Sequence, residues 1–184
     1  MDMTSQTLAD IARDGSKSAS TALSKLSESD VTISTSSATV ASVKESTEKI
    51  TAPSEHGTVV YSEIIKGMPG LAILQMSRED ALIVIDLLNQ EDIGTTGILK
   101  DIDRSAIKET LNILANSYIT SLAHATGVSF MVGAPNLITA NRLAEVTGSF
   151  LKRADPSDCF SFDVTLTMVK HKIQMKLFIL LHKQ

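Results

Sequence analysis

The stretch Ser105-Ala-Ile107-Lys-Glu109-Thr-Leu111-Asn112-Ile-Leu114-Ala-Asn116-Ser-Tyr118-Ile-Thr-Ser-Leu122-Ala-His-Ala125 decides the fold. Ile107, Leu111, Leu114, Tyr118, Leu122 and Ala125 recur at helical spacing, and Gly127 just beyond them is a residue that readily ends a helix. The spacing predicts a helix from about Asp103 to Ala125, the longest periodic segment of the chain. At about 100° per residue, Ser105, Glu109, Asn112 and Asn116 fall within roughly 60° of arc, opposite the apolar set. The helix thus buries one face and displays a carboxylate and carboxamides on the other. By helix geometry alone such a face is an ordinary solvated one.

Working towards the N-terminus, the connector Gly94-Thr-Thr-Gly97 precedes this helix, and before it a shorter helix runs through Ala81, Leu82, Ile85 and Leu88. Ser77-Arg-Glu-Asp80 opens that shorter helix as a capping box, with Asp80 where Glu is more usual. Thr58 to Lys66 and Leu71 to Met76 are strand-like and are joined by Gly67-Met-Pro69-Gly70, so they form a hairpin. Residues 44–57 are polar and punctuated by Pro53 and Gly57, which predicts a surface loop. The first 56 residues hold 21 Ser and Thr and no aromatic residue, a composition that approaches that of a disordered tail. Against that, Leu8, Ile11, Ala12, Ala19, Ala22, Leu23 and Leu26 keep helical spacing over residues 5–27, and Val31-Thr-Ile33 then alternates as a short strand.

Working towards the C-terminus, Val128 to Val132 reads as a strand, Ile138 to Lys152 as a helix, and Phe160 to Val169 with Ile173 to Leu181 as a closing hairpin. Both halves therefore follow one order: long helix, short strand, linking segment, hairpin. Sliding the chain by 99 residues sets Leu23 on Leu122, Val31 on Phe130 and Ile33 on Val132. This self-similarity indicates an internal duplication. The expected class is α/β (α+β), with pseudo-twofold duplicated halves whose long helices pack on a continuous, mostly antiparallel sheet.

Composition narrows the function. A chain of 184 residues with 43% hydrophobic and 21% charged residues fits a single domain, residues 1–184, with a sizeable core. No run of 18 apolar residues occurs, and Met1-Asp2-Met3-Thr4 lacks a basic or apolar leader, so a cytoplasmic location is expected. The lone Cys159 agrees with a reducing compartment. With 17 basic against 21 acidic residues and no run of either sign, nucleic acid and membrane are poor partners. His56, His124, His171 and His182 are scattered, and no zinc spacing, phosphate loop or nucleophile elbow is present.

The exposed face of the long helix carries the functional signal. Ser105-x3-Glu109-x2-Asn112-x22-Pro135 reproduces the [D/S]-x3-E-x2-N-x22-P signature of the CheC/CheX/FliY phosphatases of chemotaxis. Four fixed positions at those spacings arise by chance in roughly one chain in several hundred. Glu109 to Ala123 also resembles the segment around that motif, and Ala72 to Leu88 the stretch before it, so the similarity is strong over residues 57–136 and thin before them. Leu111 stands where family members usually carry a small residue, and it either limits a partner's approach or turns inward. CheC proteins often carry a second motif in the first half. Here the corresponding positions are Gln6, Asp10, Arg13 and Ser36, none of which matches, so residues 1–56 resemble a degenerate first half and residues 57–184 hold the intact motif.

The resemblance implies a CheC-like phosphatase with one active site, acting on the phospho-aspartate of a CheY-type response regulator. It implies that Asn112 orients the attacking water, that Glu109 pairs with a lysine of the partner, and that Ser105 and Pro135 support them. Asn116 shares the partner-contact face. No cofactor or metal of its own is expected, since Mg²⁺ is supplied by the response regulator. CheD is a second candidate partner, and the alternative reading is a non-catalytic adaptor that binds CheD or a FliM-like motor-switch component.

Overall fold

A computed structural model of the chain describes residues 3–51, 54, 56–153 and 158–183. The first half runs α1 (Ser5–Ser27), β1 (Val31–Ser42), α2 (Val43–Glu48), β2 (Thr58–Lys66) and β3 (Gly70–Met76), and α3 (Arg78–Leu88) links it to the second. The second half runs α4 (Asp101–Thr126), β4 (Met131–Val132), β5 (Asn136–Thr139), α5 (Leu143–Arg153), β6 (Asp158–Met168) and β7 (Ile173–His182). The strands form one antiparallel sheet in the order β1-β6-β7-β3-β2, with β4 and β5 both on the far side of β2.

This order is its own mirror about the β3–β7 pair, since each half's hairpin takes the strand that follows the other half's long helix. The registers obey the same twofold. Ile33 lies opposite Leu166 and Val40 opposite Phe160, just as Val132 lies opposite Ile64 and Thr139 opposite Thr58. The duplication read from the sequence is thus a duplication of pairing.

Helices cover both faces of the sheet. On one, α1 and α4 pack side by side over inward residues that include Val60, Leu74, Phe162 and Leu177. On the other, α2 and α5 lie over Val59, Ile73, Phe178 and Leu180. Adjacent residues of a strand point to opposite faces, so a sheet covered on both sides gives continuous apolar runs, and all of β3 is buried. Tyr118 sits between α1, α4 and the sheet. Its ring lies 5.3 Å from that of Phe162, and a Cβ on Gly15 would approach it to 2.8 Å, so glycine is required where α1 crosses α4.

Four boundaries differ from the sequence reading. Residues 43–48 form α2 rather than loop, because Ser42 and Glu45 cap one another reciprocally at 3.2 and 3.1 Å while Val43, Ser46 and Thr47 turn inward. Pro53 lies outside the described residues. Strand β1 is 12 residues long, not a short strand. It is the sheet's edge, where polar Ser and Thr remain exposed and apolar alternation fades. The segment Leu137-Ile138-Thr139 pairs with β2 as β5, so the following helix starts at Leu143 instead of Ile138. Strand β4 comprises only Met131 and Val132, shorter than the Val128–Val132 expected.

Candidate functional site

The exposed stripe of α4 carries Ser105, Glu109, Asn112 and Asn116, with Asn112 half-buried and the others exposed. Ile107, Leu111, Leu114, Tyr118 and Leu122 lie in the core on the opposite side, each at most 1% exposed. Ala125, expected among them, is exposed near the helix end. Leu111 turns fully inward, so its bulk does not stand in front of Asn112. Gly127 ends the helix in the left-handed conformation at φ 70°.

Side chains along the stripe are coupled. Asn116 Nδ2 donates to both the backbone carbonyl of Asn112, at 2.8 Å, and Asn112 Oδ1, at 2.9 Å. Asn112 Nδ2 in turn donates to Glu109 Oε2 at 3.4 Å. The Asn112 carboxamide is therefore held from both ends, with one N–H and one oxygen lone pair still unused. Sequence spacing put Asn116 on the same face. Its hydrogen bonds to Asn112 depend on rotamers that spacing does not reveal. Ser105 Oγ donates to the Asp101 carbonyl at 2.9 Å and finishes the first turn.

Pro135 comes from a different element. It lies half-buried between β4 and β5, strands against which α4 packs, and among the described residues no hydrogen bond joins it to the stripe. Just before it, Gly133 is fastened to β2, its N–H donating to the Glu63 carbonyl at 2.7 Å and its carbonyl accepting from Ser62 Oγ at 2.6 Å. A proline has no N–H for a ladder, so the second half breaks here into two short strands where the first half has one continuous β1.

The start of α4 is held by buried carboxylates. Asp103, 4% exposed, accepts from the Lys100 N–H at 2.8 Å and from Asn89 Nδ2 at 3.4 Å. Asp86, 1% exposed, accepts from the N–H groups of Gly94 at 2.7 Å and Thr96 at 2.8 Å, which pins the α3–α4 connector. Burial alone would raise the Asp86 pKa, but the hydrogen bonds from Thr96, Gly94 and Thr95 outweigh it and hold the carboxyl below its usual range.

In the first half, Gln6, Asp10 and Arg13 occupy the matching stripe of α1, where they are paired with one another. Gln6 Nε2 donates to Asp10 at 3.1 Å, and Arg13 bridges Asp10 at 2.8 Å and Asp14 at 3.1 Å. Those two carboxylates, Asp14 foremost, raise the guanidinium's pKa. Ser36 is bonded to α1 instead of to those three side chains, donating to the Ala12 carbonyl at 3.1 Å and accepting from Ser16 at 2.7 Å. A guanidinium has donors only, so Arg13, at the position matching Asn112, cannot stand in for that carboxamide, and the one amide on this face, Gln6, is bonded to Asp10.

Among the described residues no three His, Cys, Asp or Glu side chains converge as a metal site, and no helix is long and apolar enough to cross a membrane. Cys159 is buried, its thiol 3.1 Å from Ser46 Oγ.

A duplicated antiparallel sheet with two long helices on one face is the CheC/CheX/FliY fold, and solved structures share this architecture over nearly the whole chain. FliY of Thermotoga maritima is 19% identical, with a TM-score of 0.62 over 99% of this chain and 92% of that one. The chain matched in the CheX-CheY-BeF3-Mg²⁺ complex of Borrelia burgdorferi is 20% identical, with a TM-score of 0.64 over 95% and 99%. The FliM middle domain of Vibrio alginolyticus has the same architecture at 12% identity, with a TM-score of 0.61 over 96% and 93%. No family model and no curated protein sequence matches the chain.

Proposed function

We propose that this chain is a cytoplasmic, CheC-like phosphatase that hydrolyses the phospho-aspartate of a CheY-type response regulator and so resets a chemotaxis signal. One observation carries the reading: an exposed helix face presents Asn112 with its carboxamide held by Glu109 and Asn116 and with one donor and one acceptor free. An acyl phosphate on aspartate is already activated, and the response regulator brings the Mg²⁺ and the lysine that neutralise the phosphoryl oxygens. What remains to be supplied is a water in line with phosphorus. The free Oδ1 lone pair accepts from that water while the amide is held still. Water oxygen bonds to phosphorus, the P–O bond to the aspartate breaks, and carboxylate and inorganic phosphate leave. Glu109, three residues before Asn112, pairs with the partner lysine and sets the helix over the site. Ser105 and Pro135 support the helix start and the neighbouring strand edge, and Asn116 positions the amide. The complex of CheX with CheY, BeF3 and Mg²⁺ supports this class of partner.

The test is release of inorganic phosphate from a phosphorylated CheY-type response regulator. Acceleration over spontaneous decay is expected, and its absence would turn the reading to the alternative. That alternative is a non-catalytic adaptor that binds CheD or a FliM-like motor-switch component, and the likeness to the FliM middle domain and the unmatched first half favour it. Glu109 and Asn112 favour the enzyme, because a scaffold has no need of a held carboxamide at that spacing.

Three substitutions follow from the assignment. Glu109→Ala should weaken binding to the phosphorylated partner by about 2 to 5 kcal/mol, the usual cost of truncating one charge of a partly desolvated pair, and Glu109→Lys should weaken it further. Titration calorimetry reads both, and unchanged affinity would remove Glu109 from the interface. Arg13→Ala, on the self-paired face of α1, should leave phosphate release and folding as they are. A large loss of rate in a folded Arg13→Ala protein would restore a site to the first half.

A further inference from the structure

In a chain whose net charge is −4, one cleft is strongly basic. It opens beside the start of α4, between the α3–α4 connector and the outer edge of β5, and among the described residues it is lined by Arg78, Arg104, Arg142 and His56 but by no aspartate or glutamate. Its apolar lining includes Leu137 of β5 and Ile98 of the connector, the latter 76% exposed. Arg142 is already paired with Glu145 at 3.1 Å, and Arg104 Nε makes a long 3.4 Å bond to the Leu99 carbonyl. Most of the donor capacity of Arg78 and Arg104 therefore faces solvent beside an exposed isoleucine.

The cleft shares α4 with the candidate active site, Arg104 being the α4 residue that lines it. Arg104, Lys108, Asn112 and Asn116 are spaced four apart, so they stand along one ridge of α4. Eight residues of rise place the Arg104 end about 12 Å along the helix from Asn112. A protein surface of ordinary interface size, about 800 Å² per partner, spans more than that distance. A partner that brings a phospho-aspartate to Asn112 is therefore large enough to reach the cleft as well.

We propose that this cleft docks an acidic segment with an aliphatic side chain, carried by the same phosphorylated partner beside its phospho-aspartate. The inference rests on the phosphatase reading for the choice of partner, and charge selects the segment: two guanidiniums held in no ion pair among the described residues recognise carboxylates, and Ile98 and Leu137 take the aliphatic group. The arginines steer encounter and set affinity, while Asn112 sets the rate of chemistry.

The experiment measures equilibrium binding of the full chain to a CheY-type response regulator held in its phosphorylated form by beryllofluoride and Mg²⁺. Low and physiological salt are compared. Arg78→Glu combined with Arg104→Glu should raise Kd on the order of 10-fold or more at low salt, with a smaller difference at high salt. Ile98→Asp, at an exposed position, should raise Kd as well and serves if the double variant does not fold. Equal Kd values for wild type and variants would overturn the proposal while leaving the phosphatase reading intact. Binding that depends on the arginines without any phosphate release would keep the docking site and remove the enzyme. No binding by wild type overturns both. Loss of a concentration-dependent dimer in the double variant, with Kd unchanged, would give the cleft to a second copy of the chain and overturn the proposal too.

Discussion

Asn112→Ala is expected to lower the rate of phospho-aspartate hydrolysis on the order of 10² to 10³-fold, the size typical of losing one preorganised polar group at a reacting centre. The estimate depends on preorganisation, and here the geometry supplies it. The carboxamide accepts from Asn116 at 2.9 Å and donates to Glu109 at 3.4 Å, so its open acceptor does not wander before the water arrives. Because the contribution appears in the transition state, Asn112→Ala should barely change affinity for the phosphorylated partner, and the loss should fall on turnover. Asn112→Asp keeps an oxygen in place but sets a negative charge against the phosphoryl group, and it should be no better than alanine. Single-turnover phosphate release at saturating partner separates the two effects. If Asn112→Ala loses affinity and keeps its rate, the water-positioning role is wrong and the adaptor reading gains.

Much of this site was legible in the sequence because a helix converts spacing into direction. Ser105, Glu109, Asn112 and Asn116 had to share a face once Ile107, Leu111, Leu114 and Tyr118 were assigned to the core, and the structure places them so. Side-chain coupling was not legible, since the bonds from Asn116 to Asn112 depend on rotamers. Pairing followed the same division. The duplication predicts a twofold sheet, yet the alternation at Val31-Thr-Ile33 predicts only a short strand where β1 runs for 12 residues, because an edge rich in Ser and Thr carries no alternating apolar signal. Helix α2 was hidden for a related reason. Lys44, Glu45 and Glu48 face water and gave the segment a loop's composition, while its inward side is one turn of Val43, Ser46 and Thr47. The basic cleft leaves no mark in the sequence, because Arg78, Arg104, Arg142 and His56 come from four distant places in a chain with no basic run.

Tyr118→Ala should cost about 3 to 5 kcal/mol of folding stability, the range for removing a large aromatic side chain from a close-packed core. Tyr118 is 1% exposed, stacks at a tilt on Phe162, and fills the space that Gly15 leaves where α1 crosses α4. A marginally stable domain holds about 5 to 15 kcal/mol in all, so this single change removes a large share, which urea or thermal unfolding will read. Tyr118→Phe isolates the hydroxyl, whose bond to the Ala12 carbonyl is long at 3.3 Å, and should cost only about 0.5 to 1.5 kcal/mol near neutral pH. The two proteins should then diverge in alkali. Burial pushes the Tyr118 phenol well above its ordinary value, and the hydrogen bonds with Ser16 and Ser36 offset only part of this. For an acid whose folded pKa is raised, stability is fully present below the unfolded value, about 10 for tyrosine, and is lost as pH rises through the folded value. Wild type should therefore lose stability above that pH more steeply than Tyr118→Phe, which has no proton to release there. Parallel curves would mean that the phenol reaches water in the native state. In that case α1 and α4 are not sealed against each other at Gly15, and α4 would lack the rigid backing that its exposed stripe requires.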